Sequence, residues 1–385
     1  MNRRILTAVG AAALLAACSD NKPAAEPEKA APAPAPKAAA PAAPASDASV
    51  ASVPGKSDPE CVGPIDTAVP ETRTIGDRTV EVNGYRLTVK SAEDADEKAV
   101  VGVLANLNEA SGENLFNLER YLGFFRENGA EMIVVAGDSG QDRANIEAVL
   151  RKVAASGLPV LAIAGNREAR ADYVDAVAAV QKDQPNLING NRVRYVDWDD
   201  ADFVTLPGYH DPRYIHASGA GCQYSKEDVG ALKKLTAAAN DAVVLVAHGQ
   251  PLGTAPTALD VIAPDKKHVG DPNLTTVLET AGIPFGIFPN IKEAGGIAVA
   301  DLAGEKVLAD GTASEKLFLN PGAADSIEWT MNDGTTSVGT AAILAIEGKQ
   351  ATHRIYRAAK LSDAEKAQAA KLAPALEQPA TAQTE

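Results

Sequence analysis

Three short runs decide the fold: Ala99-Val-Val-Gly-Val-Leu-Ala105, Glu131-Met-Ile-Val-Val-Ala136 and Pro159-Val-Leu-Ala-Ile-Ala164. Each is an almost unbroken apolar stretch of strand length, and segments of helical period, 113–128 and 142–156, separate them. A strand that is apolar at every position needs cover on both faces. That is the condition of parallel strands flanked by helices. A third helical segment, 168–182, extends the order to βαβαβα.

Working outward, Thr79-Val-Glu-Val-Asn-Gly-Tyr-Arg-Leu-Thr-Val89 alternates with period two around Asn83-Gly84, a hairpin signal. Beyond the third helix, strands are expected near 202–206, 242–247, 296–300, 316–319, 340–346 and 351–356, with helices near 226–239 and 274–281. Helices early and strands late predict an α/β fold in which two packed sheets carry helices outside, an αββα sandwich. Tyr85 is the first aromatic and Tyr356 the last, which bounds the parts able to build a core.

The flanks read differently. Met1–Arg4 is basic, Ile5–Leu15 is a short apolar run, and Leu15-Ala16-Ala17-Cys18 follows. The apolar run falls short of the roughly 20 residues a membrane span needs, so residues 1–17 are expected to be a cleaved leader. Leu-Ala-Ala-Cys resembles the bacterial lipobox. That resemblance implies lipidation of Cys18 and, with Ser19 next, an outer-membrane address facing the periplasm. Residues 18–59 form an Ala/Pro-rich tether carrying nine of the 24 prolines, too donor-poor and polar to pack. The expected order is then a hairpin segment (60–97), the main domain (98–357) and a C-terminal helix with a polar tail (358–385). Ser362-Asp-Ala-Glu365 marks that helix start, and the helix is predicted to reach about Leu376. With Cys18 set aside, Cys61 and Cys222 remain for an oxidising compartment; a Cys61–Cys222 disulfide is expected, two buried thiols being the alternative. Lys and Arg total 36 against 51 Asp and Glu, a net charge of −15. A surface that acidic repels phosphate backbones, so nucleic acid is not an expected partner.

Open α/β sheets bind ligands beyond the carboxyl ends of their strands. Those ends read Asn106-Leu107-Asn108, Gly137-Asp138-Ser139-Gly140, Gly165-Asn166-Arg167-Glu168 and Ala247-His248-Gly249. A carboxylate, amide oxygens and an imidazole would converge there, donors suited to Mn, Fe or Zn. Each also has a plain structural use: Asp138 capping the helix near Asp142 or fixing its turn, Asn166 holding the next turn, His248 filling the core.

Order and spacing of these turns resemble the calcineurin-like metallophosphoesterase superfamily over roughly 98–357. The resemblance implies a fold that uses two adjacent metals to hold phosphate and activate water. Gly137-Asp138 matches its GD motif, Gly165-Asn166-Arg167-Glu168 its GNHE motif, His248-Gly249 its single-histidine motif, and Asn320-Pro321-Gly322 its Asn-Pro-Gly turn. The first motif, Asp-x-His in the family, here reads Asn106-Leu-Asn108. Arg167 stands where the family has its leaving-group histidine, and Gly286-Ile-Phe-Pro289 stands where Gly-His-x-His is expected. Asp138, Asn166 and His248 would thus be a residual site for one divalent metal or none, Asn106 a degenerate position, and Asn108 and Arg167 the residues at matching catalytic positions. Arg167 would either bind an anion or pair with Glu168 or Glu109, while His210 is expected at the surface, and His216, His268 and His353 show no ligand spacing. The functional expectation is a catalytically degenerate, lipid-anchored envelope protein that binds a phosphate-containing or other anionic ligand, or a protein partner. The alternatives are a one-metal phosphoesterase acting on phosphate mono- or diesters and a structural envelope protein.

Overall fold

The predicted runs become β4 (Lys98–Leu104), β5 (Met132–Ala136) and β6 (Val160–Ile163), parallel neighbours in register. Alternate side chains serve different layers, as the two-residue period of a strand requires. Val101, Val103, Met132, Val134, Leu161 and Ile163 face a second sheet. Val100, Leu104, Ile133, Val135 and Val160 face helices. Those helices are α1 (Gly112–Glu127), α2 (Arg143–Ala154) and α3 (Arg170–Asp183). Their buried positions recur at helical spacing, for instance Leu118, Tyr121 and Phe125 in α1 and Ile146, Val149, Leu150 and Val153 in α2.

The computed structural model describes residues 57–76, 78–91, 96–198, 200–216, 220–263 and 265–373. The leader, Cys18, most of the tether and the end of the polar tail lie outside them.

The smaller sheet has six strands in the order β20-β19-β4-β5-β6-β7, adding β7 (Leu187–Asn189), β19 (Thr340–Glu347) and β20 (Gln350–Arg357). The larger has ten: β1 (Glu71–Ile75), β2 (Arg78–Asn83), β3 (Arg86–Val89), β8 (Tyr195–Trp198), β9 (Ala201–Leu206), β10 (Ala242–Ala247), β13 (Phe285–Ile287), β16 (Leu317–Asn320), β14 (Ile297–Val299) and β15 (Val307–Leu308), in that spatial order. Two ribbons, β11·β12 (Val261–Ile262 with Lys267–His268) and β17·β18 (Trp329–Thr330 with Thr336–Ser337), complete the strands. On the larger sheet the outward residues Val204, Leu206, Val243 and Leu245 share a cluster with Val229, Leu232 and Leu235 of α4 (Lys226–Thr236) and Leu274 and Leu278 of α5 (Pro272–Ala281). The αββα sandwich is therefore present. Strands β9, β10, β13 and β16 are parallel, so their carboxyl ends share one edge.

Several expectations needed adjusting. The hairpin segment supplies three strands, with β3 pairing parallel to β8, so it extends the large sheet. Strands β1, β7, β8 and β13 span only three to five residues, too short to show a period. The C-terminal helix α6 (Asp363–Ala369) has its Ser362–Glu365 capping box but stops well before 376, where buried Ala369 meets Gly112 at the start of α1. The Cys61–Cys222 disulfide is formed, with a Cα–Cα distance of 5.1 Å. It closes a loop of 161 positions, which in the chain-entropy account stabilises by up to about 5 kcal/mol. Among the described residues no helix is long and apolar enough to cross a membrane.

Candidate functional site

The turns after β4, β5, β6 and β10 do converge. Asn106, Asn108 and Asp138 all adopt left-handed backbone, with φ of 55°, 63° and 56°. Only glycine, asparagine and aspartate enter that region cheaply, which is why amides and a carboxylate stand there. The two turns are zipped by Asn106 N–H to the Gly137 carbonyl at 3.0 Å and Asn108 N–H to the Asp138 carbonyl at 2.9 Å. A Cβ at Gly137 would lie 2.5 Å from His248 Nδ1, and one at Gly165 only 2.4 Å from Asp138 Oδ1. Glycine is required at both places for the turns to approach.

Asp138 is wholly buried at the centre. Its Oδ1 accepts the backbone N–H groups of Asn166 and Arg167, both at 3.1 Å. Its Oδ2 makes no hydrogen bond but lies 3.4 Å from Arg167 Nε and 3.6 Å from Lys292 Nζ. Burial alone would raise this carboxyl; the charges of His248, Lys292 and Arg167 and the Arg167 N–H outweigh it and hold Asp138 below its ordinary value. Arg167 thus pairs with Asp138, not with Glu168 or Glu109. Nor does Asp138 cap the next helix, because Asp142 does.

His248, also fully buried, places Nδ1 2.9 Å from the Ala136 carbonyl and Nε2 3.1 Å from Asn166 Oδ1 and 3.4 Å from Asp138 Oδ1. A carbonyl only accepts, so Nδ1 carries a proton. Nε2 likewise faces two oxygens, an arrangement that only a proton or a bound cation at Nε2 satisfies. Asn166 keeps that orientation because its Nδ2 donates to the Tyr214 carbonyl at 2.6 Å. Burial pushes the imidazole down, and Asp138 pulls it back in part.

Glu168 turns inward, accepting from Ser139 N–H at 2.6 Å, Ser139 Oγ at 3.0 Å and Gly165 N–H at 2.9 Å, so α3 starts two residues later than predicted. Burial and the nearby Asp138 charge push its carboxyl up to about 7.

The turn after β4 is organised otherwise. Asn106 Nδ2 donates to the carbonyls of Pro289 (2.9 Å) and Gly322 (3.3 Å), and Asn108 Nδ2 to the Asn106 carbonyl (3.1 Å) and Asp325 Oδ2 (2.8 Å). Gly322 belongs to the Asn-Pro-Gly turn, which Asn320 ties to the Ile291 carbonyl. Asp325 also accepts from Trp329 Nε1 at 3.0 Å, and burial raises its carboxyl to about 6 against those bonds.

Three residues of this neighbourhood carried no sequence signal. Lys292 stands in a single 3₁₀ turn, Lys292–Ala294, just beyond the strand where late histidines were sought. Only 6% exposed, it lies 5.5 Å over the Trp329 ring, and burial lowers its ammonium while Asp138 partly restores it. His216 donates its backbone N–H to the Asn166 carbonyl at 3.0 Å and feels the charges of Arg167, Asp138 and Lys292. Asp325 follows the Asn-Pro-Gly turn. His210, expected at the surface, is fully buried beside Tyr209, its ring nitrogens unpartnered among the described residues. His268 pairs with Asp260 at 2.9 Å and His353 with Asp310 at 3.3 Å, away from this cluster.

The donor set does not fit two dications. The β4 turn contributes neutral amides whose NH₂ groups are committed to carbonyls and Asp325, and Asp138 already has two cationic side chains on Oδ2. Among the described residues no group of three or more His, Cys, Asp and Glu is placed to hold a metal ion. Asp138, Asn166 and His248 do meet as expected and would offer part of one ion's shell, next to the Lys292 and Arg167 charges.

No family model matches the chain, and no curated protein matches it. Solved structures that resemble it include a phosphatase from Mycoplasma pneumoniae (8% identity, 72% of this chain and 98% of that one, TM-score 0.41). Another is GAP50, the anchor in the inner membrane complex of Plasmodium (11% identity, 74% and 98%, TM-score 0.40). A third is a dimetal phosphatase from Danio rerio (12% identity, 68% and 99%, TM-score 0.38). Likenesses this distant assign no residue a role.

Proposed function

We propose that this chain is a divergent metallophosphoesterase-type protein that has lost two-metal hydrolysis and works in the bacterial envelope as a lipid-anchored binding protein. One observation carries the loss of chemistry: Arg167 and Lys292 flank the single central carboxylate, Asp138, while the turn after β4 offers only neutral amides. Two dications need anionic ligands to offset four charges. Here one carboxylate already faces two fixed cations. Support for the anchor comes from Leu15-Ala-Ala-Cys18 and the proline-rich stretch after it.

Purified protein incubated with Mn, Zn or Fe is expected to leave bis-p-nitrophenyl phosphate and p-nitrophenyl phosphate uncleaved above background; turnover lost in Asp138→Ala and His248→Ala would refute the reading. For the anchor, palmitate labelling of cells should be lost in Cys18→Ser, with the protein released from the membrane fraction. A second reading, a phosphoesterase with one divalent ion, draws on the facing acceptors His248 Nε2 and Asn166 Oδ1, 3.1 Å apart beside Asp138. One ion per chain by metal analysis, together with metal-dependent turnover, would favour it.

A further inference from the structure

Charge and unspent hydrogen bonds at this site point beyond the loss of metals. Among the described residues neither the Lys292 ammonium nor the Arg167 guanidinium donates a side-chain hydrogen bond, and the buried Arg167 Nε is unpartnered. Both face Asp138 Oδ2, at 3.4 and 3.6 Å, too far for a good hydrogen bond but close enough for mutual attraction. One buried carboxylate is set directly against two cationic side chains, in a chain of net charge −15. Both Glu168 oxygens accept from Ser139 and Gly165, and among the described residues Glu168 forms no ion pair with either cation. Asp325, tied to Trp329 and Asn108, supports the Lys292 ammonium through its charge but forms no ion pair with it among the described residues. Buried donors are rarely left empty without a reason.

Arg167 is the more accessible of the pair. The Lys292 side chain is 7% exposed and that of Arg167 23%. His216 is exposed beside them, held to the Asn166 turn by its backbone N–H. An anion reaching Arg167 from outside would therefore meet a planar fork of donors, an ammonium behind it and an imidazole at the rim. Tetrahedral oxyanions with several acceptor oxygens suit such a set, because a guanidinium fork binds two of them at once.

We propose that Lys292, Arg167 and His216 form a metal-independent receptor for a tetrahedral oxyanion, a phosphate or the phosphate group of a monoester, the side-chain cations supplying charge that bound ions would otherwise bring. The inference rests on the degenerate reading above and gives it a ligand class. The Asp138 carboxylate opposes binding, and the receptor works because that charge is balanced twice.

The test is thermal unfolding and calorimetric titration of the intact chain in excess EDTA, with inorganic phosphate, sulfate and p-nitrophenyl phosphate as probes and chloride at matched ionic strength as control. Phosphate at a hundredfold excess over its Kd should raise the melting temperature by about 5 °C. Arg167→Gln should weaken binding at least about tenfold, as expected for loss of a charged hydrogen-bonding group. Lys292→Met should abolish it, and His216→Gln should weaken it several-fold. Because Lys292→Met leaves a buried carboxylate less balanced, circular dichroism must show it folded; if it is not, the exposed-side variants Arg167→Gln and His216→Gln decide. Phosphate response equal to chloride, response only when Mn or Zn is added, or wild-type affinity in both exposed-side variants would overturn the receptor. A preference for the monoester over free phosphate would identify the source of the oxyanion. Turnover of the monoester would refute the degenerate reading, whereas neither turnover nor phosphate response refutes the receptor alone.

Discussion

The two banks of the central polar cluster are built differently. On the bank built by the turns after β5, β6 and β10, Asp138, Asn166 and His248 stand within 3.1–3.4 Å of one another, supported by glycines that nothing larger can replace. On the other bank, the turn after β4 and the segments after β13 and β16 hold Asn106, Asn108, Lys292 and Asp325, joined by hydrogen bonds and fixed charge. The first bank brings a carboxylate, an amide oxygen and an imidazole together, while the second is a polar network whose Asn106 and Asn108 NH₂ groups are bonded but whose Oδ1 atoms have no partner among the described residues. Left-handed turns constrain residue type by sterics whether or not an ion is bound.

The largest effect that would sharpen this contrast is at Asp138. Asp138→Ala leaves the buried Lys292 and the half-buried Arg167 without their counter-charge and should cost about 3–5 kcal/mol in urea unfolding; a loss under about 1 kcal/mol would mean that the charges are solvated instead. A more demanding test rebuilds the second bank. Asn106→Asp with Asn108→His restores an Asp-x-His motif, yet two bound metals per chain are expected only when Lys292→Met is added, read by metal analysis of the dialysed protein. Two metals with Lys292 in place would show that the lysine does not exclude them.

Acidity probes the same bank at smaller amplitude. The Asp325 carboxyl, raised by burial to about 6, binds a proton in the folded chain over a range in which the unfolded chain, near 3.9, has lost it. Stability from this group therefore declines as pH rises from about 4 to about 6, by roughly 2–3 kcal/mol in all. Asp325→Asn should flatten that part of the stability–pH curve; an unchanged slope would place the titration elsewhere. The smallest effect is a control outside the cluster: Arg151, bridging Glu147 and Asp183 on the outer helices, should cost under about 1 kcal/mol when changed to Ala.

Much of this architecture could be read from residues 98–206. Unbroken apolar runs identified β4, β5 and β6, and helical spacing identified α1 to α3. Short strands such as β13, Phe285–Ile287, were not legible because three residues carry no period. Within the site, the turn residues Asn106, Asn108, Asp138, Asn166, Arg167 and His248 were all named in advance, since each follows a strong strand. What Arg167 touches was not: it sits beside Glu168 in sequence but pairs with Asp138. His210 was misjudged because loop residues are usually exposed, and here Tyr209 and Tyr224 enclose it.

Local order alone determined that parallel strands would end in tight Gly/Asn/Asp turns, because periodicity and backbone sterics act over a few residues. It also showed that no histidine lies between His268 and His353. Only the closed sheets decided that Lys292 would stand against Asp138, 292 − 138 = 154 positions away in the chain. That meeting depends on β13 lying beside β10 and on a single 3₁₀ turn after it. An isolated lysine in a loop has no pattern that marks it for burial, and only long-range packing brings the opposing charge that makes its burial tolerable.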